Sequence, residues 1–139
     1  MLHLSIKLAI MLHKGGCDIP SDFIWEFKQN NNNNIAVLKP YRVKSKNKTN
    51  WVYAPTQFEI LNTITNILKS LSDEQKQNYQ LIEQKDINTT IKQSIKLIGN
   101  NNEELINLSE NVKSDQDYID FLGAFLMELL LYVIQLNEK

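Results

Sequence analysis

A chain of 139 residues carrying a net charge of −1 is sized for one domain, residues 1–139, with a single core. That balance exerts no overall pull toward nucleic acid or an anionic membrane, so any such affinity has to come from a local patch. Its 42% hydrophobic and 22% charged residues are ordinary for a globular chain, and the lone Cys17 excludes both an internal disulfide and a cysteine-based zinc site.

The leader MLHLSIKLAIMLHKGGC is apolar and ends at a cysteine, but Lys7 interrupts the apolar stretch and no basic region precedes it. It is therefore not expected to act as an export signal. From Leu2 to His13, Leu2, Leu4, Ile6, Leu8, Ile10 and Leu12 alternate with His3, Ser5, Lys7, Ala9, Met11 and His13. A period of two predicts a strand with one buried face, closed by Gly15 and Gly16. Phe23, Trp25 and Phe27 repeat the alternation and predict a second strand, in competition with a short helix begun at Pro20-Ser21-Asp22.

The asparagine runs 30–34 and 100–102 fill loops, where the side chain bonds nearby backbone. Ile35 to Leu38, continuing through Tyr41 and Val43, and then Trp51-Val52-Tyr53, predict a hairpin around a charged tip. Pro40 lacks a ladder donor and belongs on an edge strand or at a bulge.

Past Pro55 the pattern turns helical. Phe58, Leu61, Ile64, Ile67, Leu68 and Leu71 recur at three- and four-residue steps and predict an amphipathic helix. Ser72 with Gln75 resembles a capping box for a more polar helix through about Gln84. Asp86 is a cap for another, marked by Ile87, Ile91, Ile95 and Ile98 and stopped by Gly99. A short helix is expected over 103–111.

The final helix opens at Ser114 and Asp117, and YIDFLGAFLMELLLYVIQL is apolar on nearly every side. Only Asp117, Asp120, Ala124, Glu128, Leu131 and Gln135 form a narrow polar stripe. The apolar run between Asp120 and Glu128 is too short for a membrane span, and an acid near the middle of a span costs about 2.5–3.5 kcal/mol on insertion scales. This helix is therefore expected to be the hub of the core.

The predicted class is α+β: an N-terminal antiparallel sheet of three to four strands within residues 1–54, then four to five α-helices within 55–139 around an apolar C-terminal one.

Chemistry is sparse. His3 and His13 would stand about 33 Å apart on a straight strand, too far to share a metal or a proton. Cys17 lacks an identifiable base and orienting group. Glu128 on its apolar helix is the one candidate acid or base for an enzyme, and with four glycines in the chain a phosphate cradle is hard to build. No cofactor and no metal site are expected.

Lys39, Arg42, Lys44, Lys46 and Lys48 place five cations in ten residues beside Tyr41, Trp51 and Tyr53. Such a segment can hold single-stranded nucleic acid, cations on phosphates and rings on bases, with Lys39, Tyr41, Arg42, Lys44, Lys46, Lys48 and Trp51 as its contacts. It can equally be a solvated hairpin whose lysines guard an edge.

The leading expectation is a non-catalytic protein-binding domain in the cytoplasm. Its specific form is a bacterial immunity protein that occludes the active site of a cognate toxin through Asp117, Asp120, Glu128 and Leu131. Single-strand nucleic-acid binding through residues 39–53 is the alternative, and a small enzyme using Glu128 is a third.

Overall fold

Helix and sheet alternate along the chain: α1 (Ile6–Lys14), β1 (Phe23–Asn30), β2 (Asn33–Pro40), β3 (Trp51–Tyr53), α2 (Gln57–Gln75), β4 (Gln80–Asp86), β5 (Lys92–Ile98), β6 (Glu104–Asn111) and α3 (Asp115–Asn137). These elements are seen in a computed structural model that describes residues 1–30, 33–44, 50–86 and 92–138. Twice, a helix leads into three antiparallel strands, and α3 closes the series. The first sheet runs β2-β1-β3 and the second β4-β5-β6. The class is α+β, as expected, but with three helices and two three-stranded sheets among the described residues.

The leader is the largest correction at the front. It forms α1, not a strand. Leu4, Ala9 and Leu12 are its buried apolar residues, His3 is buried beside them, and past the helix end Gly16 turns the chain at φ +81°. The alternation misled because Ala9 and Met11 are themselves apolar, so the supposed polar face was never strictly polar. Tertiary bonds then hold the entry to the helix. Leu4 N–H donates to Pro55 O at 2.8 Å and Ser5 N–H to the Asp120 carboxylate at 2.9 Å. Trp25 Nε1–H donates to Leu4 O at 2.9 Å.

β1, β2 and β3 stand where expected, and Pro40 does end an edge strand. The hairpin does not: β2 and β3 are not neighbours but flank β1 on opposite sides, with Val37 and Trp51 both opposite Glu26. Tyr41–Val43 is a 3-10 turn rather than a continuation of the strand.

In the back half, α2 runs unbroken through Ser72 and ends at Lys76, which takes a left-handed conformation (φ 51°, ψ 43°). Its N-cap is Thr56, in a reciprocal capping box with Glu59. Phe58 lies on the outer side of the first turn, 76% exposed, and not on the buried stripe.

The helices expected over 72–84, 87–98 and 103–111 are replaced by β4, β5 and β6. Residues 87–91 lie outside those described. In β5, Ile95 and Leu97 are fully buried while Ser94 and Lys96 alternate with them, which is strand periodicity. The three-residue step from Ile95 to Ile98 fits a helical stripe, but in the strand it puts Ile98 on the face opposite Ile95.

α3 forms as predicted, capped by Ser114 Oγ accepting from Asp117 N–H at 3.1 Å. It contributes Ile119, Phe121, Leu122, Phe125, Leu126 and Leu129 to a core completed by Ile60 and Ile64 of α2, Ile95 and Leu97 of β5, Val52 of β3, and the N-terminal segment. Leu4 packs so closely on this helix that a Cβ at Gly123 would stand 2.5 Å from its Cδ1. By length and composition alone, α3 is the one helix among the described residues that could cross a membrane.

Candidate functional site

The two sheets treat their outward faces differently. On the second, the outer side carries Gln84, Ser94, Lys96, Asn107 and Ser109, with Ile82 opposite Lys96, a mainly polar surface. A cleft of about 420 Å³ there is lined by Gln84, Lys85, Lys92, Ser94 and Ser109, with no acid or histidine among them to activate a serine. On the first sheet the outer side is aromatic and aliphatic.

The register of the first sheet builds that face row by row. Val37, Glu26 and Trp51 lie across β2, β1 and β3; the next row is Lys39, Ile24 and Tyr53; Ile35 and Lys28 form a shorter row on the other side. Neighbours within a row are about 4.8 Å apart. The opposite side of the sheet, with Trp25, Phe27 and Val52, packs on the main core.

Ile24 is fully buried yet separate from that core, because Tyr41, Trp51 and Tyr53 gather on its side. Trp51 meets both tyrosines edge-on, at 5.6 and 5.1 Å between centroids, and the tyrosines stack at 5.7 Å. Such pairs add about 0.5–1.5 kcal/mol beyond the area they bury. Glu26 is buried within this layer and accepts from Lys39 Nζ at 2.8 Å. Trp51 Nε1 is buried with no hydrogen-bond partner among the described residues, a group whose desolvation goes uncompensated.

A cleft of about 230 Å³ opens between this layer and the end of α1, lined by His13, Asp18, Tyr41, Lys44, Trp51, Val52 and Tyr53. Lys44 Nζ sits 3.8 Å above the Tyr41 ring, and His13 Nδ1 lies 2.7 Å from the Asp18 carboxylate.

The cations of the basic segment therefore differ in their duties. Lys39 is held by Glu26, Lys44 lies on Tyr41, and Arg42 is exposed with no ion pair among the described residues. Lys46 and Lys48 lie outside the described residues. The signal for this face was present in the sequence as cations interleaved with aromatics. The contributions of Ile24, Glu26, Ile35 and Val37 were not singled out, since only the pairing of β1 with both neighbours assembles them.

The stripe on α3 is placed as expected but its members are not equally available. Asp120 accepts from Ser5 N–H and from Gln116 Nε2 at 3.2 Å, and Asp117 accepts from Lys113 N–H at 3.0 Å. Asp120 ties down the N-terminal segment, and Asp117 the turn leading into α3. Glu128 and Leu131 are exposed one turn apart, Leu131 at 50% and Ile134 beyond it at 50%. From Asp117 to Leu131 the stripe spans about 21 Å of helix, so it is a line and not a cluster.

The histidines do not meet. His3 is buried, donating from Nδ1 to Ala54 O at 2.7 Å beside the Phe23 ring, while His13 serves Asp18. Burial, and then the neighbouring Asp18, push the Cys17 thiol up from its ordinary value, opposite to what a thiolate nucleophile needs. Among the described residues no three histidine, cysteine or acidic side chains gather as metal ligands.

The chain matches no family model, and no curated protein or solved structure is significantly similar to it.

Proposed function

We propose that the chain is a non-catalytic protein-binding domain whose contact surface is the outer face of the first sheet. One observation carries this reading: half-buried Tyr41, Trp51 and Tyr53 adjoin Ile35 and Val37, which are 43% and 41% exposed, on the side turned away from the core. Interface centres favour Tyr, Trp and Arg, and contiguous apolar exposure of this kind commonly marks a contact surface. Toxin neutralisation in the cytoplasm is the specific form of this role that we carry forward. The engagement of Asp117 and Asp120 within the fold moves its contact toward the sheet and away from α3.

Single-strand nucleic-acid binding draws on the same residues and is the weaker reading. Two of its cations already have partners inside the fold, and the three rings pack against one another instead of offering free faces for bases. Catalysis by Glu128 has less support still, because the residue is exposed and stands apart from the histidines and Cys17.

The test is co-purification from the native host. A stoichiometric protein partner should be retained by the wild-type chain and by Glu128→Gln, and lost with Val37→Asp or Trp51→Ala in chains that unfold normally. Retention of a labelled single-stranded oligonucleotide at low salt, with steep loss as salt rises and no protein partner, would overturn the reading.

A further inference from the structure

The free edge of β2 has an identifiable hydrogen-bonding phase. Tyr41 N–H donates to Asp22 O, and β1 and β2 pair with Phe23 opposite Pro40. In an antiparallel ladder, alternate residues turn both backbone groups toward the same neighbour. Lys39, Val37 and Ile35 therefore bond to β1, while Pro40, Leu38 and Ala36 turn outward. The other side of β1 agrees, since Ala54 N–H donates to Phe23 O and so places Phe23 in the ladder with β3.

Pro40 lacks its donor on the side where no strand needs it. Ala36 and Leu38 present intact N–H and C=O groups there, and among the described residues no strand pairs with them.

This edge is poorly guarded. From Ile35 to Leu38 it carries no charge, and Ile35, Val37 and Leu38 are each at least 36% exposed. Natural edges are usually blunted by charge, a bulge or a covering element. Around it the charge is cationic. Lys28 stands opposite Ile35, and Arg42 and Lys44 follow the strand; Glu26 is answered by Lys39, which leaves Asp22 as the nearby acid of the pairing.

We infer that β2 is a docking edge for an extended peptide that presents apolar residues flanked by Asp or Glu on one face, added to the first sheet as a fourth strand. The inference rests on the protein-binding reading and names its partner class. Backbone pairing at Ala36 and Leu38 supplies register. On that face the apolar side chains cover Ile35 and Val37 beside the aromatic layer, and the flanking carboxylates answer Lys28 at one end and Arg42 and Lys44 at the other. A second copy of the chain fits less well, because it brings like charge to the same sheet. Nucleic acid makes no use of a row of unpaired peptide groups.

The experiment titrates the full chain with a nine-residue peptide bearing Glu, Val, Val and Glu at alternate positions with Thr between and outside them, its counterpart with Lys in place of Glu, and a copy of the acidic peptide N-methylated at every second amide. The acidic peptide should bind, the basic one should not, and the N-methylated copy in the pairing phase should bind about tenfold or more weakly. Ala36→Pro removes an outward donor while sparing the ladder with β1, so it should fold and lose the same factor. Failure of the acidic peptide to bind overturns the inference. Binding that neither N-methylation nor Ala36→Pro weakens also overturns strand addition, while leaving protein binding through the aromatic face intact. Concentration-dependent dimerisation lost in Ala36→Pro, without peptide binding, assigns the edge to a second copy and likewise overturns it. An oligonucleotide bound in place of any peptide or protein overturns both readings.

Discussion

Glu26 is the only acid buried among the described residues, and Lys39 is among the groups that hold it in the aromatic layer. Lys39 reaches it at 2.8 Å with 21% of its own side chain exposed, so the pair is partly screened and its Coulomb gain is moderate. Removing Lys39 takes one partner from a buried carboxylate, which costs more than replacing that carboxylate as well. Lys39→Met is expected to lower unfolding free energy by about 1–3 kcal/mol, and adding Glu26→Gln should recover much of the loss. Urea denaturation of the two variants decides this; equal losses would mean that the pair is not what holds the layer.

Tyr118 supplies a pH dependence. Its hydroxyl donates to Glu83 at 2.8 Å, and burial first, then that hydrogen bond and the adjacent carboxylate, push its pKa up to about 12 from 10. Between those values the unfolded chain ionises before the folded one, so stability is fully present below pH 10 and falls as pH rises toward 12. Thermal melts of Tyr118→Phe across that window should be flatter than those of wild type. Tyr132 shifts in the same direction, chiefly from burial, so part of the alkaline loss should persist in the variant.

At the scale of elements, the places where sequence patterning failed share a cause. Period is informative when polar and apolar residues are cleanly segregated, as in α3, and ambiguous when a short element is exposed on one side and apolar on both. The leader presents six alternate aliphatics, yet it forms α1, which buries Ala9 and Leu12 while Leu4 just before it packs on Gly123 of α3. β4 reads QLIEQKD, whose Glu83 stands opposite buried Ile95 and accepts from Tyr118 at the border of the helix-covered side, and nothing within it excludes a polar helix. Ser72 looked like a new cap because it is a good one in isolation, but it lies inside α2.

What stops α2 is Lys76, in a left-handed conformation that lysine adopts at a cost. Glycine carries no such penalty at that position. Lys76→Gly is therefore expected to raise the unfolding free energy by about 1 kcal/mol without changing the circular dichroism spectrum. A loss of stability would show that the side chain of Lys76 contributes more there than its backbone costs.

Legibility followed the same line at the candidate site. Tyr41, Arg42, Lys44, Trp51 and Tyr53 were visible as a cationic and aromatic segment, because residue type alone reveals them. The face they belong to was not, since β3 returns to the far side of β1 and brings Trp51 level with Val37, residues with no local relation in the chain.

For the molecule as a whole, the defining question is whether α3 belongs to a protein core. Length and hydropathy allow a membrane span as well, and the distribution of its burial separates the two. Ile119, Phe121, Leu122, Phe125, Leu126 and Leu129 face α1, α2 and the sheets, with Phe125, Leu126 and Leu129 fully buried, whereas Glu128, Leu131 and Ile134 lie on the open side. A spanning helix in lipid would make the apolar residues on the two sides nearly equivalent; a core helix makes them very different. Phe125→Ala is expected to cost about 3–5 kcal/mol through lost burial and the cavity it leaves, and Leu131→Ala no more than about 0.5 kcal/mol. Because α3 touches both halves of the chain, the loss at Phe125 should appear in a single unfolding transition monitored by tryptophan fluorescence (Trp25 and Trp51, both in the first sheet) and by far-ultraviolet circular dichroism. Similar costs at Phe125 and Leu131 would remove α3 from the centre of the fold, and the open face of the first sheet would then lack the rigid support that a docking surface requires.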